Sequence, residues 1–185
     1  MPNDMSPGAI VNDVGQNPTP VGGPLDLTEF LLGSSKAWGV FEDRFGALRR
    51  RFVADLDGRW HGDVFVLNEE FQFDDGEQMT RVWQLTPMAD GKFTANADDV
   101  VGPASGWYDG DTVRLAYSFM LRVGNSDVKV RFSDRFYRVD ANNVINRATV
   151  SKWGVTLGEM TIAFQRAGND DEQLYLVADH NKSAA

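Results

Sequence analysis

Glu69 and Glu70 stand side by side within a strand-like run, Val64–Phe73, where alternation sends one of them inward. Asp134 shares a face with Val130, Phe132 and Phe136, which buries it. A buried carboxylate needs a partner, or its pKa rises and it neutralises. Arg81, Arg131, Arg135 and Arg147 are the available cations. Such a set could be a charge network that fixes strand register, an anchor for a ligand headgroup or carboxylate, or a carboxyl pair for proton transfer. Nothing in the spacing sets the separation that glycoside hydrolysis requires.

Other positions offer weaker chemistry. Asp43-Arg44 follows an aromatic strand and reads either as a turn with a local salt bridge or as an ion pair lining one barrel mouth. Asp98-Asp99 supplies two adjacent carboxylates, too few oxygen ligands for calcium, and no metal is expected. Arg147 and Lys152 could receive an anion, but on a regular strand they fall on opposite faces. Trp38, Trp60, Trp83, Trp107 and Trp153 are spread over separate segments. They fit core and barrel-end packing, or an aromatic-lined pocket for an acyl chain. The chain has no cysteine, which excludes thiol nucleophiles, disulfides and zinc ribbons. Its two histidines, His61 and His180, lie far apart and leave the serines without a base. There is no glycine-rich phosphate loop, and no cofactor is expected.

The elements that must position these groups are strands. The 27 acids comprise 20 Asp and 7 Glu, and Asp prefers turns and caps to helix faces. Turn signals recur at Arg44-Phe45-Gly46, Asp57-Gly58, Gly62-Asp63, Asp74–Glu77, Ala89-Asp90-Gly91, Tyr108–Asp111, Gly124–Asp127 and Asp140–Asn143. Between them lie about ten runs, from Ala37–Asp43 and Leu48–Leu56 to Val144–Trp153 and Glu159–Arg166. Val113, Leu115, Tyr117, Phe119, Leu121 and Val123 form one apolar face, and Arg114, Ala116, Ser118, Met120 and Arg122 the other. One apolar face per strand predicts an antiparallel sheet with one side buried. Closure removes the exposed edges of a flat meander, so an up-and-down barrel of 8–10 strands is expected.

Three regions follow. Residues 1–24, rich in Pro, Gly and Asn, read as a disordered N-terminal arm. Residues 25–168 form the single barrel domain, opened by a short helical turn in Leu25–Leu32 that plugs a sheet end, with Asp26 or Thr28 as N-cap. Residues 169–185 form a polar tail. No stretch is apolar enough to span a membrane as a helix, and a formal charge of −9 argues against nucleic acid.

Ala37-Trp38-Gly39-Val40-Phe41-Glu42-Asp43-Arg44-Phe45-Gly46 resembles the opening signature of the proteobacterial domain of unknown function 3833. The resemblance continues through Glu69-Glu70-Phe71, Asp74–Glu77, Arg81-Val82-Trp83, Ala97–Gly102, Asn146-Arg147 and Lys152-Trp153-Gly154. It implies a lipocalin-like (calycin) barrel, many of whose relatives carry a lipoprotein leader. It also implies a genomic setting of fatty-acid modification. This sequence differs in showing no leader and no cysteine, and in having Ser133 and Arg135-Phe136-Tyr137 where the family tends to have Asp-Asp-Trp-Met-Tyr.

The expectation is therefore a barrel that binds a small apolar or amphipathic molecule, of lipid or fatty acyl type, linked to membrane lipid modification. Its expected ligand-binding residues are Trp38, Arg44, Glu69, Arg81, Trp83, Arg131, Asp134, Arg147 and Trp153. The alternatives are an enzyme acting on a modified acyl chain, with Asp134 or Glu69 transferring a proton, and an accessory protein with a filled barrel. As written the chain reads as cytoplasmic; the resemblance suggests the periplasm or a membrane-associated site.

Overall fold

The computed structural model describes residues 23–110, 112–123 and 126–167. Apart from residues 23 and 24, the arm expected at the N-terminus falls outside them, as does the tail at 169–185. One short helix, α1 (Leu27–Phe30), precedes ten strands: β1 (Gly33–Asp43), β2 (Leu48–His61), β3 (Val64–Phe73), β4 (Gln78–Pro87) and β5 (Lys92–Asn96), then β6 (Ala104–Asp109), β7 (Thr112–Val123), β8 (Ser126–Arg138), β9 (Asn143–Lys152) and β10 (Val155–Arg166). Each strand pairs antiparallel with its chain neighbour, and β1 pairs β10 from Ser35↔Arg166 to Asp43↔Gly158. The sheet is thus a closed up-and-down barrel, in which the short β5 pairs β4 only over Gln84–Pro87 and the short β6 pairs β7 only over Thr112–Ala116.

Side-chain parity builds the interior. Along β3, Phe65, Leu67, Glu69 and Phe71 are buried while Asn68 and Glu70 are exposed. The barrel alternates small and large residues across strands. Gly39 of β1 lies opposite Phe52 of β2, and a Cβ on Gly39 would fall 2.1 Å from the Phe52 ring. Gly106 and Phe93 make the same pairing between β6 and β5. A ring lying over an inward glycine fills the space its missing side chain leaves.

The two barrel ends differ. Asp26 caps α1 by accepting from the amides of Thr28 and Glu29 at 2.9 and 3.1 Å. Leu27 and Phe30 then turn into the barrel and plug this end above Phe65, Val113 and Val144. The plug rests on β2: a Cβ on Gly58 would stand 2.1 Å from the Leu31 carbonyl oxygen. Asp57-Gly58 is therefore not the turn its composition suggests. β2 runs on to His61, and the chain reverses at Gly62 (φ 61°). At the opposite end Phe41, Phe73, Met79, Leu121 and Met160 are only partly buried and ring an open mouth.

Candidate functional site

Inward parity on five elements converges on a polar cluster inside the apolar wall. β3 contributes Glu69, β4 Arg81 and Trp83, β7 Tyr117, β8 Asp134 and β9 Asn146. The β5–β6 loop adds Asp99, whose Oδ2 accepts from Arg81 Nε at 2.9 Å. Arg81 is the register partner of Glu69, and its Nη1 lies 3.9 Å from Glu69 Oε2. The guanidinium is also held 4.7 Å from the centre of the Phe119 ring. Tyr117 stacks on Phe132 at 5.1 Å and meets Trp83 edge-on at 5.3 Å.

Burial dominates the electrostatics. It pushes the Glu69 carboxyl up to about 7, against the pull of Arg81 and a hydrogen bond from the Trp83 indole. It pushes Asp134 up to about 8, against a hydrogen bond from the Tyr117 hydroxyl and the attraction of Arg81. The Tyr117 hydroxyl rises well above its ordinary value for the same reason, reinforced by Asp134. The cluster thus combines the Arg81–Asp99 ion pair with two carboxyls, Glu69 and Asp134, that burial raises toward the neutral range. Glu69 Oε2, Asp134 Oδ1 and Asn146 Nδ2 are buried with no hydrogen-bond partner among the described residues. Each such group costs about 1–3 kcal/mol in a closed core.

These groups face a cavity of about 410 Å³ that runs from Leu27 and Leu31 of the plug to the mouth. Its wall is otherwise apolar, with Leu56, Leu67, Leu115 and Phe164 among its side chains. The interior is therefore not packed solid, as the filled-barrel alternative required. At the rim Arg50 lies 3.6 Å over the Phe73 ring and ion-pairs with Asp75 and Glu77.

The structure thus brings together Glu69, Arg81, Trp83 and Asp134 of the residues expected from sequence. It places the other five outside the cavity. Trp38 is exposed because its neighbours Ala37 and Gly39 take the inward positions beside Phe52. Arg131 alternates with the buried Val130 and Phe132 and faces solvent. Arg147 alternates with Asn146 and Ala148 and pairs on the outer face with Glu159. Arg44 lies in the exposed β1–β2 turn over Phe45, while Asp43 bonds Arg49 instead. Trp153 sits at the β9–β10 tip. Sequence reasoning missed Tyr117 and Asn146 as site residues. The signal was present, because each is a polar group on an otherwise apolar strand face.

The fold is similar to three solved structures at low identity. The S-type phycobiliprotein lyase CPES from Guillardia theta shares 11% identity at a TM-score of 0.58, over 77% of this chain and 91% of that one. Rv2717c from M. tuberculosis shares 13% identity at a TM-score of 0.54, over 78% and 99%. A protein of unknown function from the DUF3598 family of Nostoc punctiforme shares 12% identity at a TM-score of 0.53, over 78% and 50%. No protein of curated function matches the chain. The profile described as "Protein of unknown function (DUF3833)" matches residues 16–166, which contain every strand and the whole polar cluster, and the chain belongs to that family.

Proposed function

We propose that the barrel binds one small, mostly apolar molecule of lipid or fatty acyl type, with its polar end at the Glu69–Arg81–Tyr117–Asp134–Asn146 cluster. The observation that carries this reading is the cavity of about 410 Å³ that ends on buried, unpartnered polar atoms. The volume falls within the range of small-molecule sites, and an apolar wall with a few convergent polar groups is their usual composition. Protonated Asp134, the Asn146 amide and Arg81 are donors, so a carboxylate or ester oxygen satisfies them. A role in membrane lipid modification rests on the family resemblance.

Titration with a long-chain fatty acid tests the reading through fluorescence of Trp83, the tryptophan in the cavity wall. Saturable quenching that disappears in Leu115→Trp, which fills the cavity, is expected. No quenching, together with no small molecule in native mass spectra of protein from its host, refutes it. A second reading is favoured by the two carboxyls raised toward neutrality, the range suited to proton transfer. In that case Asp134→Asn abolishes turnover of an acyl substrate while retaining its binding. If no acyl substrate is consumed by the wild type, binding alone stands.

A further inference from the structure

We propose that the mouth end of the barrel docks on an anionic membrane surface through two aromatic hairpin tips, Phe45 and Trp153, each seated against its own cation. Among the described residues these are the most exposed large apolar side chains, at 79% and 92%. Arg44 lies 4.7 Å from the Phe45 ring centre, and the Lys152 ammonium 4.4 Å from that of Trp153. The tips belong to neighbouring hairpins, because β1 pairs β10 and the Arg44 amide donates to the Leu157 carbonyl at 2.9 Å. Leu48 and Val155 extend the exposed apolar surface beside them. Just below, Phe41 and Met160 face each other across β1 and β10 and line the cavity mouth.

Among the described residues Trp153 is packed hardly at all, with the Lys152 ammonium over its ring. Its backbone is left-handed at φ +51°, a conformation strained for a bulky residue, and Gly154 follows at φ +80°. That pair of positive φ angles makes a tight hairpin turn, where Asn would be the comfortable first residue. A bulky ring held in strain with almost no packing points to a partner outside the chain.

Charge decides the partner. Two of the three acids at this end of the hairpins are already occupied, Asp43 by Arg49 and the Phe45 and Ala47 amides, Glu159 by Arg147, and Glu42 is the third. Arg44 and Lys152 make no ion pair among the described residues, and against Glu42 they leave this sector with a small positive excess on a chain of net charge −9. Across the mouth, Arg50 pairs with Asp75 and Glu77 and Arg51 with Asp74, which offsets all but one of the three negative charges there. A protein partner would need a broad complementary face, and two separate tips do not provide one. Aromatic rings at headgroup depth with cations reaching back to phosphates suit a bilayer. Such docking sets the cavity mouth against the lipid.

The inference goes beyond ligand binding, and the two fail separately: docking is read on vesicles, cavity binding in their absence. The full-length protein is sedimented with sucrose-loaded vesicles of phosphatidylcholine, with and without phosphatidylglycerol. Wild type is expected to partition onto the anionic vesicles, more weakly at high salt. Phe45→Ser/Trp153→Ser should partition roughly tenfold or more weakly, with fatty-acid binding kept and thermal midpoint not lowered. Arg44→Gln/Lys152→Gln should lose the preference for anionic vesicles. Quenching by brominated acyl chains should be largely lost in Trp153→Phe and kept in Trp60→Phe, which removes a ring at the plugged end. Wild type that stays in the supernatant overturns the proposal and leaves the tips to a protein partner. So does an aromatic double variant that partitions as wild type does.

Discussion

Asp134→Asn should remove most of the pH dependence of stability. Asp134 titrates at about 8 in the folded protein, against 3.8 for the free side chain. Between those values the folded state holds a proton that the unfolded chain has released. Stability therefore falls as pH rises through this interval, and the loss is complete above the folded pKa. From pH 5 to pH 8, about three units at about 1.4 kcal/mol each, Asp134 alone accounts for a decrease of about 4 kcal/mol. Glu69, raised from 4.5 to about 7, adds to the decrease below pH 7. The acids with lowered pKa, Asp26, Asp43, Asp75 and Asp140, titrate below this window and leave it clear. Asn keeps the shape of Asp134 and can still accept from Tyr117, but it carries no charge at any pH. Urea unfolding followed by tryptophan fluorescence at pH 5, 6, 7 and 8 should show wild type losing several kcal/mol. Asp134→Asn should lose about 4 kcal/mol less over the same interval, and Asp134→Asn/Glu69→Gln should be nearly flat. A wild-type curve that is flat or rises with pH would show both carboxyls ionised in the folded barrel, and the argument from burial would be wrong.

Arg81→Met leaves Asp99 without its cation and Glu69 without its attraction, so urea unfolding should show a loss of about 3–5 kcal/mol. Carboxyl NMR should then place Glu69 above its present value of about 7. Gly58→Ala puts a Cβ against the Leu31 carbonyl, a backbone atom that cannot step aside, and should cost about 1–3 kcal/mol, with faster amide exchange across α1. Asp26→Ala removes the α1 cap and should cost about 1 kcal/mol. It should also lower the Tyr108 hydroxyl from about 12 in an ultraviolet titration, because Asp26 is second only to burial in raising it.

The barrel was legible because its strands are punctuated by turns whose residue types have few other uses. The run Val64–Phe73 coincides with β3 and Thr112–Val123 with β7. Where the reading slipped, packing overrode turn chemistry. Asp57-Gly58 looks like a hairpin turn, yet Gly58 lies mid-strand, with the carbonyl of Leu31 close over its Cα. Contacts made by the plug have no local signature, so sequence could not show that this glycine serves close approach.

The candidate site was legible only where parity was applied. Asp134 was placed inward by its strand neighbours and one of Glu69 and Glu70 by alternation, and Asp134 and Glu69 are the buried pair. Trp38, Arg131, Arg147 and Trp153 were favoured for their chemistry, and alternation or turn position put each of them outside. Residue type records what a side chain prefers, whereas parity records where the closed sheet puts it. Where the two agree, as at the many Asp residues of the turns, the residue is architecture. Where they conflict, burial exacts a cost that ordinary packing does not explain. Glu69, Asp134 and Asn146 are such conflicts, and all three face the same cavity. Three independent strands, β3, β8 and β9, carry them, so chance polarity on one strand does not account for the cluster. The small molecule proposed for the barrel interior would account for all three at once.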